Sequence, residues 1–245
     1  MLNKDQALCI RTVDFSETSQ IATFFTKDSG KISVIAKGSR RRKSPFDGPL
    51  EIFSFGHIVF TEHHAGSLGT LTDFEQKPAF MHLVANLCSL NSALFAAELI
   101  NLLTEEYDPD PELFCSLVQF LDDVQQAKDK GKTLSLLILF QLNILTHIGL
   151  GLVLDQCANC KMDIKNSVGV YFSDDANGFV CRDCEQNFYN KTPLSANVVD
   201  CLMDLEKLAA ADEQTLQAIE KILVMHFTHT LGKPPKMAKH FWGRA

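Results

Sequence analysis

Gln20-Ile21-Ala22-Thr23-Phe24-Phe25-Thr26, then Lys27-Asp28-Ser29-Gly30, then Lys31-Ile32-Ser33-Val34-Ile35-Ala36 is the stretch that decides the fold of the first third of the chain. Two β-prone runs flank a short turn ending in glycine, the composition of a hairpin connection. In the second run Ile32, Val34 and Ala36 alternate with Lys31 and Ser33, which gives one apolar face and one polar face. Upstream, Ala7 to Val13 is another β-prone run, followed by the turn Ser16-Glu17-Thr18-Ser19. Downstream, Leu50 to Phe60 and Leu68 to Phe74 read as strands, after a loop from Lys37 to Pro49 rich in Gly, Pro and cations. Five short strands with a long loop between the third and fourth predict a small Greek-key barrel of the OB type over residues 1–77. The pattern alone does not separate it from an SH3-like barrel.

From Ala79 the texture becomes helical. Met81, Leu83, Val84, Leu87, Leu90, Leu94 and Phe95 recur at helical spacing, and Asp108-Pro109-Asp110-Pro111 interrupts the pattern before Glu112 to Gln126 resumes it. A third helix is expected from Leu134 to Ile148, and amphipathic helices over Asn197 to Leu208 and Glu213 to Thr230. Thr133 to Leu154 contains no Asp, Glu, Lys or Arg and is long enough to cross a bilayer. Ser135, Gln141, Asn143, Thr146 and His147 interrupt it, however, and it runs directly into a cysteine module, so a core helix is expected instead.

That module carries Cys157-x2-Cys160-x20-Cys181-x2-Cys184. Each CxxC knuckle aims two sulfurs at one point, and two knuckles supply the four thiolates of a closed tetrahedral zinc site. Such a site has no open position for water or substrate, so the expectation is one structural Zn2+ per chain. Between the knuckles, Val168 to Phe172 and Gly178 to Val180 predict a hairpin around Asp174-Asp175-Ala176-Asn177. The fold class that results is α+β and multidomain: an OB-type five-stranded β-barrel (1–77), an α-helical domain in two parts (78–154 and 191–245), and an inserted four-cysteine zinc module (155–190). No apolar leader is visible, and the eight cysteines read as reduced, which points to the cytoplasm.

A net charge of −7 averages over a strong asymmetry. Lys37-Gly38-Ser39-Arg40-Arg41-Arg42-Lys43 holds five cations and no acid, and after Glu220 come Lys221, Lys233, Lys236, Lys239 and Arg244, again without an acid. Acidic residues collect between Glu98 and Asp123. Separate faces for a polyanion and for another partner follow from this distribution. Cations on the loop of a small barrel suit the phosphates of a single strand. The C-terminal cations read either as a second phosphate contact or as a solubilising tail. Phe53, Phe55 and Phe60 could stack on bases, but at least two of the three are expected in the core. Catalysis finds no signature: His63-His64 lacks an HExxH context, and Asp28-Ser29-Gly30-Lys31-Ile32 lacks the upstream glycine and the Ser/Thr of a phosphate loop. No enzyme is expected.

The chain resembles the RecO family of bacterial recombination and repair proteins. The resemblance is carried by Ser16-Glu17-Thr18-Ser19, Phe25-Thr26-Lys27-Asp28-Ser29-Gly30-Lys31, Ala36-Lys37-Gly38-Ser39-Arg40 and Gly48-Pro49-Leu50, then by Leu152 to Cys160 and Gly178-Phe179-Val180-Cys181. It covers nearly the whole chain in the same order. It implies an OB barrel, a helical domain and a zinc-finger-like insertion. It also implies binding of single- and double-stranded DNA and annealing of complementary strands without nucleotide hydrolysis. Help in loading RecA onto DNA coated by single-strand-binding protein is implied too, with RecR and, in many bacteria, RecF as partners. Lys37, Arg40, Arg41, Arg42 and Lys43 match the family's basic stretch, and with Lys31 they form the expected DNA-binding set. Some relatives have lost the cysteines; this chain keeps all four. The C-terminal tail of single-strand-binding protein is a family partner, and the acid of this chain's helical region directs it to Lys233, Lys236 and Lys239. The implied location is the cytoplasm, in association with the nucleoid. A zinc-containing protein scaffold with incidental DNA contact is the competing reading.

Overall fold

Alternation places Ala22 and Phe24 of one strand and Ile32, Val34 and Ala36 of the next on a common inner face, and five strands close around it. The computed structural model describes residues 2–46, 48–61 and 68–241; the side chain of Asn166 is not described, and His63-His64 and Arg244 lie outside these residues. The strands are β1 (Leu2–Asp14), β2 (Gln20–Thr26), β3 (Gly30–Ala36), β4 (Phe55–Thr61) and β5 (Gly69–Lys77). Their order in the closed barrel is β1-β2-β3-β5-β4, with β4 pairing back on β1. Among the described barrel pairings, that of β3 with β5 is parallel and the others are antiparallel. This is the OB arrangement that the strand pattern predicts. Inside, Phe24 meets Phe74 edge-on at 5.4 Å, and burial of each such ring contributes on the order of 2 kcal/mol.

The fourth strand starts later than the sequence suggests. Leu50 leaves the loop to plug the barrel core, and Phe53 takes a positive φ of 70°, which ends any extended run there. The first helix also starts later, at Leu87 rather than near Ala79, because Leu83–Ala85 form a 3-10 turn and Asn86 is extended. Asn is a preferred residue at a helix N-terminus.

The chain forms two compact units, Met1–Asn86 with Ala97–Gln125, and Leu87–Ala96 with Gln126–Ala245. In the first unit the barrel is joined by the second half of helix α1 (Leu87–Leu103) and by α2 (Pro111–Gln126). Phe25, on the outer face of β2, packs on Phe114 of α2 at 6.0 Å. Gly30 is required here: its φ is +73°, and a Cβ would lie 2.4 Å from the Asp108 carbonyl oxygen.

The second unit holds α3 (Lys130–His147), α4 (Ala196–Met203), α5 (Glu213–Leu231) and a three-stranded sheet of β6 (Val170–Ser173), β7 (Gly178–Cys181) and β8 (Lys191–Leu194), ordered β7-β6-β8. Asp129 caps α3, and Asp212 caps α5. None of the described helices is long and apolar enough to cross a membrane.

Helix α5 carries Glu220 into the interior, where Gln141 Nε2 donates to its Oε1 at 2.9 Å. Burial pushes this carboxyl up to about 8, outweighing the hydrogen bond. An unfolded glutamate titrates near 4.3, so between about pH 4.3 and 8 the folded chain keeps a proton that the unfolded chain has lost. Stability therefore falls as pH rises through that window, by about 1.4 kcal/mol per pH unit. Glu220→Gln is expected to flatten this slope and to be the more stable protein at pH 8. Urea titrations of both at pH 5.5 and 8 check it, and equal slopes would clear Glu220 as the source.

Candidate nucleic-acid interface and metal centre

The basic loop follows β3 and is staked to the barrel by buried polar side chains. Gln20 is the main stake: its Oε1 accepts from Ser39 Oγ at 2.9 Å and from the Leu50 amide at 2.9 Å, and its Nε2 donates to the Leu50 carbonyl at 3.2 Å. Ser19 Oγ accepts from the Gly38 amide, and the Arg40 amide donates to the Thr18 carbonyl at 3.2 Å. Phe46 and Leu50 sink into the barrel core. Removing a buried partner from such a set leaves unsatisfied groups worth about 1–3 kcal/mol each, so the loop is held by more than its ends. Sequence reading misses Ser19, Gln20 and Ser39 in this role. The signal available was Phe46, a large apolar residue in a loop of Gly, Pro and cations.

Lys37, Arg40, Arg41, Arg42 and Lys43 are all exposed. Arg40 Nη1 pairs with Asp14 Oδ2 at 2.7 Å, both side chains remaining well exposed, so this is a surface pair of small energy. Among the described residues, no ion pair engages Lys37, Arg41, Arg42 or Lys43. Four cations of one anchored loop thus have no ion pair among the described residues.

Lys31 is placed differently from the expectation that grouped it with these cations. Its ammonium is turned inward and donates to the Asn101 carbonyl at 2.8 Å and to the Thr104 carbonyl at the end of α1. Burial lowers its pKa, with Glu106 and Glu105 opposing. An ammonium suits the carbonyl-rich end of a helix, and here it ties β3 to α1. Facing two carbonyls, it is not available to a phosphate, and it leaves the candidate set. Of the three phenylalanines considered for stacking, Phe53 and Phe60 are buried, as expected of core; Phe55 is half-buried against Phe80, edge-on at 5.8 Å.

In the second unit the four cysteine sulfurs lie within 4.8 Å of one another, with Cys160 and Cys181 Sγ 3.7 Å apart. A tetrahedral Zn2+ with bonds of about 2.3 Å requires sulfur–sulfur edges of about 3.8 Å, so the set fits. The Cys181 amide donates to Cys157 Sγ at 3.4 Å, and Asn159 Nδ2 to Cys184 Sγ at 3.2 Å. Burial raises the Cys157 thiol, but the amides of Cys160, Cys181 and Asn159 outweigh it and bring the group down to about 6. Burial, together with neighbouring thiols, pushes Cys181 up to about 12 against the pull of the Cys184 amide. Left to themselves the four sulfurs do not all ionise; a divalent cation is what four adjacent thiolates need.

The turn between β6 and β7 reaches α5. His226 Nδ1 lies 3.2 Å from Asp174 Oδ1, with its ring edge-on to Phe172, and His229 Nε2 lies 3.2 Å from Asp175 Oδ1. These contacts bind the cysteine module to the helix, and sequence reading sees Asp174-Asp175 only as a turn. Lys233, Lys236 and Lys239 are exposed after α5, whose end Gly232 caps in the left-handed region. Lys236 and Lys239 lie on one 3-10 turn (Lys236–His240), whose three-residue period places them on one side.

Comparison with known proteins agrees over nearly the whole length. The family model described as recombination protein O, N terminal, matches residues 1–80, and that described as recombination protein O, C terminal, matches residues 86–239. The DNA repair protein RecO of Rhodopirellula baltica is 32% identical over 213 residues, covering 86% of this chain and 78% of that protein. That of Bacillus pumilus is 30% identical over 239 residues, 95% of this chain and 90% of that protein. That of Bacillus subtilis is 26% identical over 239 residues, 95% and 91%.

Proposed function

Since this chain belongs to the RecO family, with a role in DNA repair and recombination, we propose that it is a DNA-binding recombination mediator that makes and breaks no covalent bond. Lys37, Arg40, Arg41, Arg42 and Lys43 hold the backbones of single- and double-stranded DNA. The observation that carries this reading is the cluster of unopposed cations on a loop that buried side chains hold in place. In this reading residues 1–77 work as the DNA-binding barrel, 78–154 and 191–245 as the helical domain, and 155–190 as an insertion built around one structural Zn2+ on Cys157, Cys160, Cys181 and Cys184.

Annealing needs two phosphate backbones brought together with their base edges left open. Side-chain cations do this by neutralising phosphate charge and releasing condensed counterions, with no base readout. The same surface serves the mediator role, in which the protein, with RecR and in some bacteria RecF, helps RecA onto DNA coated by single-strand-binding protein. Lys233, Lys236 and Lys239 offer charge to the acidic tail of that protein. The place of action is the cytoplasm, at the nucleoid.

An annealing assay with complementary oligonucleotides tests the reading. Each phosphate neutralised on a single strand contributes about −0.7 to the slope of log affinity against log salt, so four cations predict a slope of roughly −3. Annealing should decline along the same salt series. A protein that binds neither strand at low salt would instead be a zinc-containing scaffold.

A further inference from the structure

The four sulfurs of the metal centre are alike in chemistry and unlike in surroundings. Cys157, Cys181 and Cys184 are buried, whereas Cys160 is exposed. Each of the buried three has an N–H donor. The Cys181 amide donates to Cys157 Sγ at 3.4 Å, Asn159 Nδ2 donates to Cys184 Sγ at 3.2 Å, and the Cys184 amide acts on Cys181 Sγ. Among the described residues no N–H donates to Cys160 Sγ; its contact is with Cys181 Sγ, 3.7 Å away.

Both differences act in one direction. A hydrogen bond draws electron density from a thiolate and weakens it as a nucleophile, and burial keeps reagents out. Three sulfurs are shielded in both ways and Cys160 in neither. The cysteines outside the ligand set do not share its position: Cys9 and Cys201 are buried, Cys88 is half-buried, and Cys115, exposed on α2, belongs to no metal cluster. A sulfur that a divalent cation keeps as thiolate, and that solvent reaches, is the form that peroxides attack.

We infer that Cys160 is an oxidant-sensitive modification site, at which hydrogen peroxide converts the Cys160–Cys181 pair to a disulfide and opens the cysteine module. The inference rests on the structural-zinc reading and adds a reaction to it. First the Cys160 thiolate attacks the peroxide: an S–O bond forms, the O–O bond breaks, and hydroxide leaves behind a sulfenic acid. Then the Cys181 thiolate, the adjacent sulfur, attacks the sulfenic sulfur: an S–S bond forms, the S–O bond breaks, and a second hydroxide leaves. Two electrons pass from the sulfur pair to the peroxide. Cys157 and Cys184 remain, two thiolates where a closed tetrahedral site needs four. The β6–β7 turn lies between the two knuckles, so the contacts of Asp174 with His226 and of Asp175 with His229 part when the module opens. A thiol reductant reverses the chemistry.

The test uses the full-length protein without substitution, its zinc content measured first. A brief, limiting treatment with N-ethylmaleimide, followed by peptide mass mapping, should place early adducts on Cys160 about tenfold above those on Cys157, Cys181 or Cys184. Cys115 serves as the reference for an ordinary exposed thiol. Hydrogen peroxide should then release about one zinc for each Cys160–Cys181 disulfide formed, the metal followed with a chromogenic chelator and the bridge by non-reducing peptide maps. Dithiothreitol with added zinc should restore both the metal and the amide protection along α5. Early adducts concentrated on any of the buried three, a disulfide other than Cys160–Cys181, or zinc release with no disulfide would overturn the inference while leaving the zinc reading intact. A chain that carries no zinc before treatment ends the structural-zinc reading, and the inference with it.

Discussion

Cys157→Ser combined with Cys181→Ser is expected to reduce bound zinc from about one per chain to none and to unfold the cysteine module. The module has few other resources. Its sheet has three strands of four residues each, with Val170, Phe172, Phe179 and Val180 as its buried apolar residues. A core of that size is too small to hold itself. Structural zinc contributes on the order of 10 kcal/mol of apparent free energy in small metal-folded units, comparable with the whole stability of an ordinary domain. The consequence should spread to α5, because Asp174 and Asp175 reach His226 and His229 only while the β6–β7 turn is formed. Hydrogen exchange should accelerate in 155–194 and along α5, while the barrel stays protected. Chelation of the parent should reproduce this. It should also become easier as pH falls, because protons compete for thiolates that the metal must hold. Metal analysis with exchange of parent and variant decides the matter. Unchanged metal content, or unchanged protection in the module, would end the structural-zinc reading.

Reversing charge at Arg40, Arg41 and Arg42 to glutamate should abolish DNA binding while the melting transition stays within a few degrees of the parent. The three side chains are exposed, and the only ion pair among them in the described residues, Arg40 with Asp14, is a surface pair. Such a pair is worth about 0–1 kcal/mol, so the fold loses little. The interface loses much more, because two unopposed cations and a paired one become three acids that repel phosphate. Neutralising Arg41 and Arg42 to glutamine should instead leave measurable binding with a shallower salt dependence, by about 0.7 per cation on a single strand. Titrations of a labelled oligonucleotide across a salt series separate these outcomes. Affinity and slope that survive the triple reversal would move the DNA site elsewhere.

Much of this molecule is legible in one dimension. The hairpin of β2 and β3 appears where alternation and the Gly-containing turn put it, and the four cysteines converge as their spacing requires. The exposed cations are equally readable, since five cations in seven residues with no acid among them are too dense to be buried together. Strand β8 escapes detection because Lys191-Thr192-Pro193-Leu194 is short and contains a proline. It is nonetheless permitted, because β8 is an edge strand with one unpaired side. The exposed Met81 and Val84 lie on a helical pattern that no helix follows, since the 3-10 turn and extended Asn86 intervene.

By itself the order of residues determined the β2–β3 hairpin, the convergence of the four cysteines and the location of positive charge along the chain, because each depends on spacing along the backbone or on composition. Tertiary structure alone decided that one strand lysine turns inward and which polar groups serve as anchors. Lys31 alternates outward on β3 like any surface residue, yet the end of α1, some seventy residues later, takes its ammonium. Gln20 sits in a β-prone run and becomes the stake of the basic loop only when Ser39 and Leu50 come back to it. A hydrogen bond between distant residues leaves no periodic trace in sequence; its geometry exists only after the chain has closed on itself.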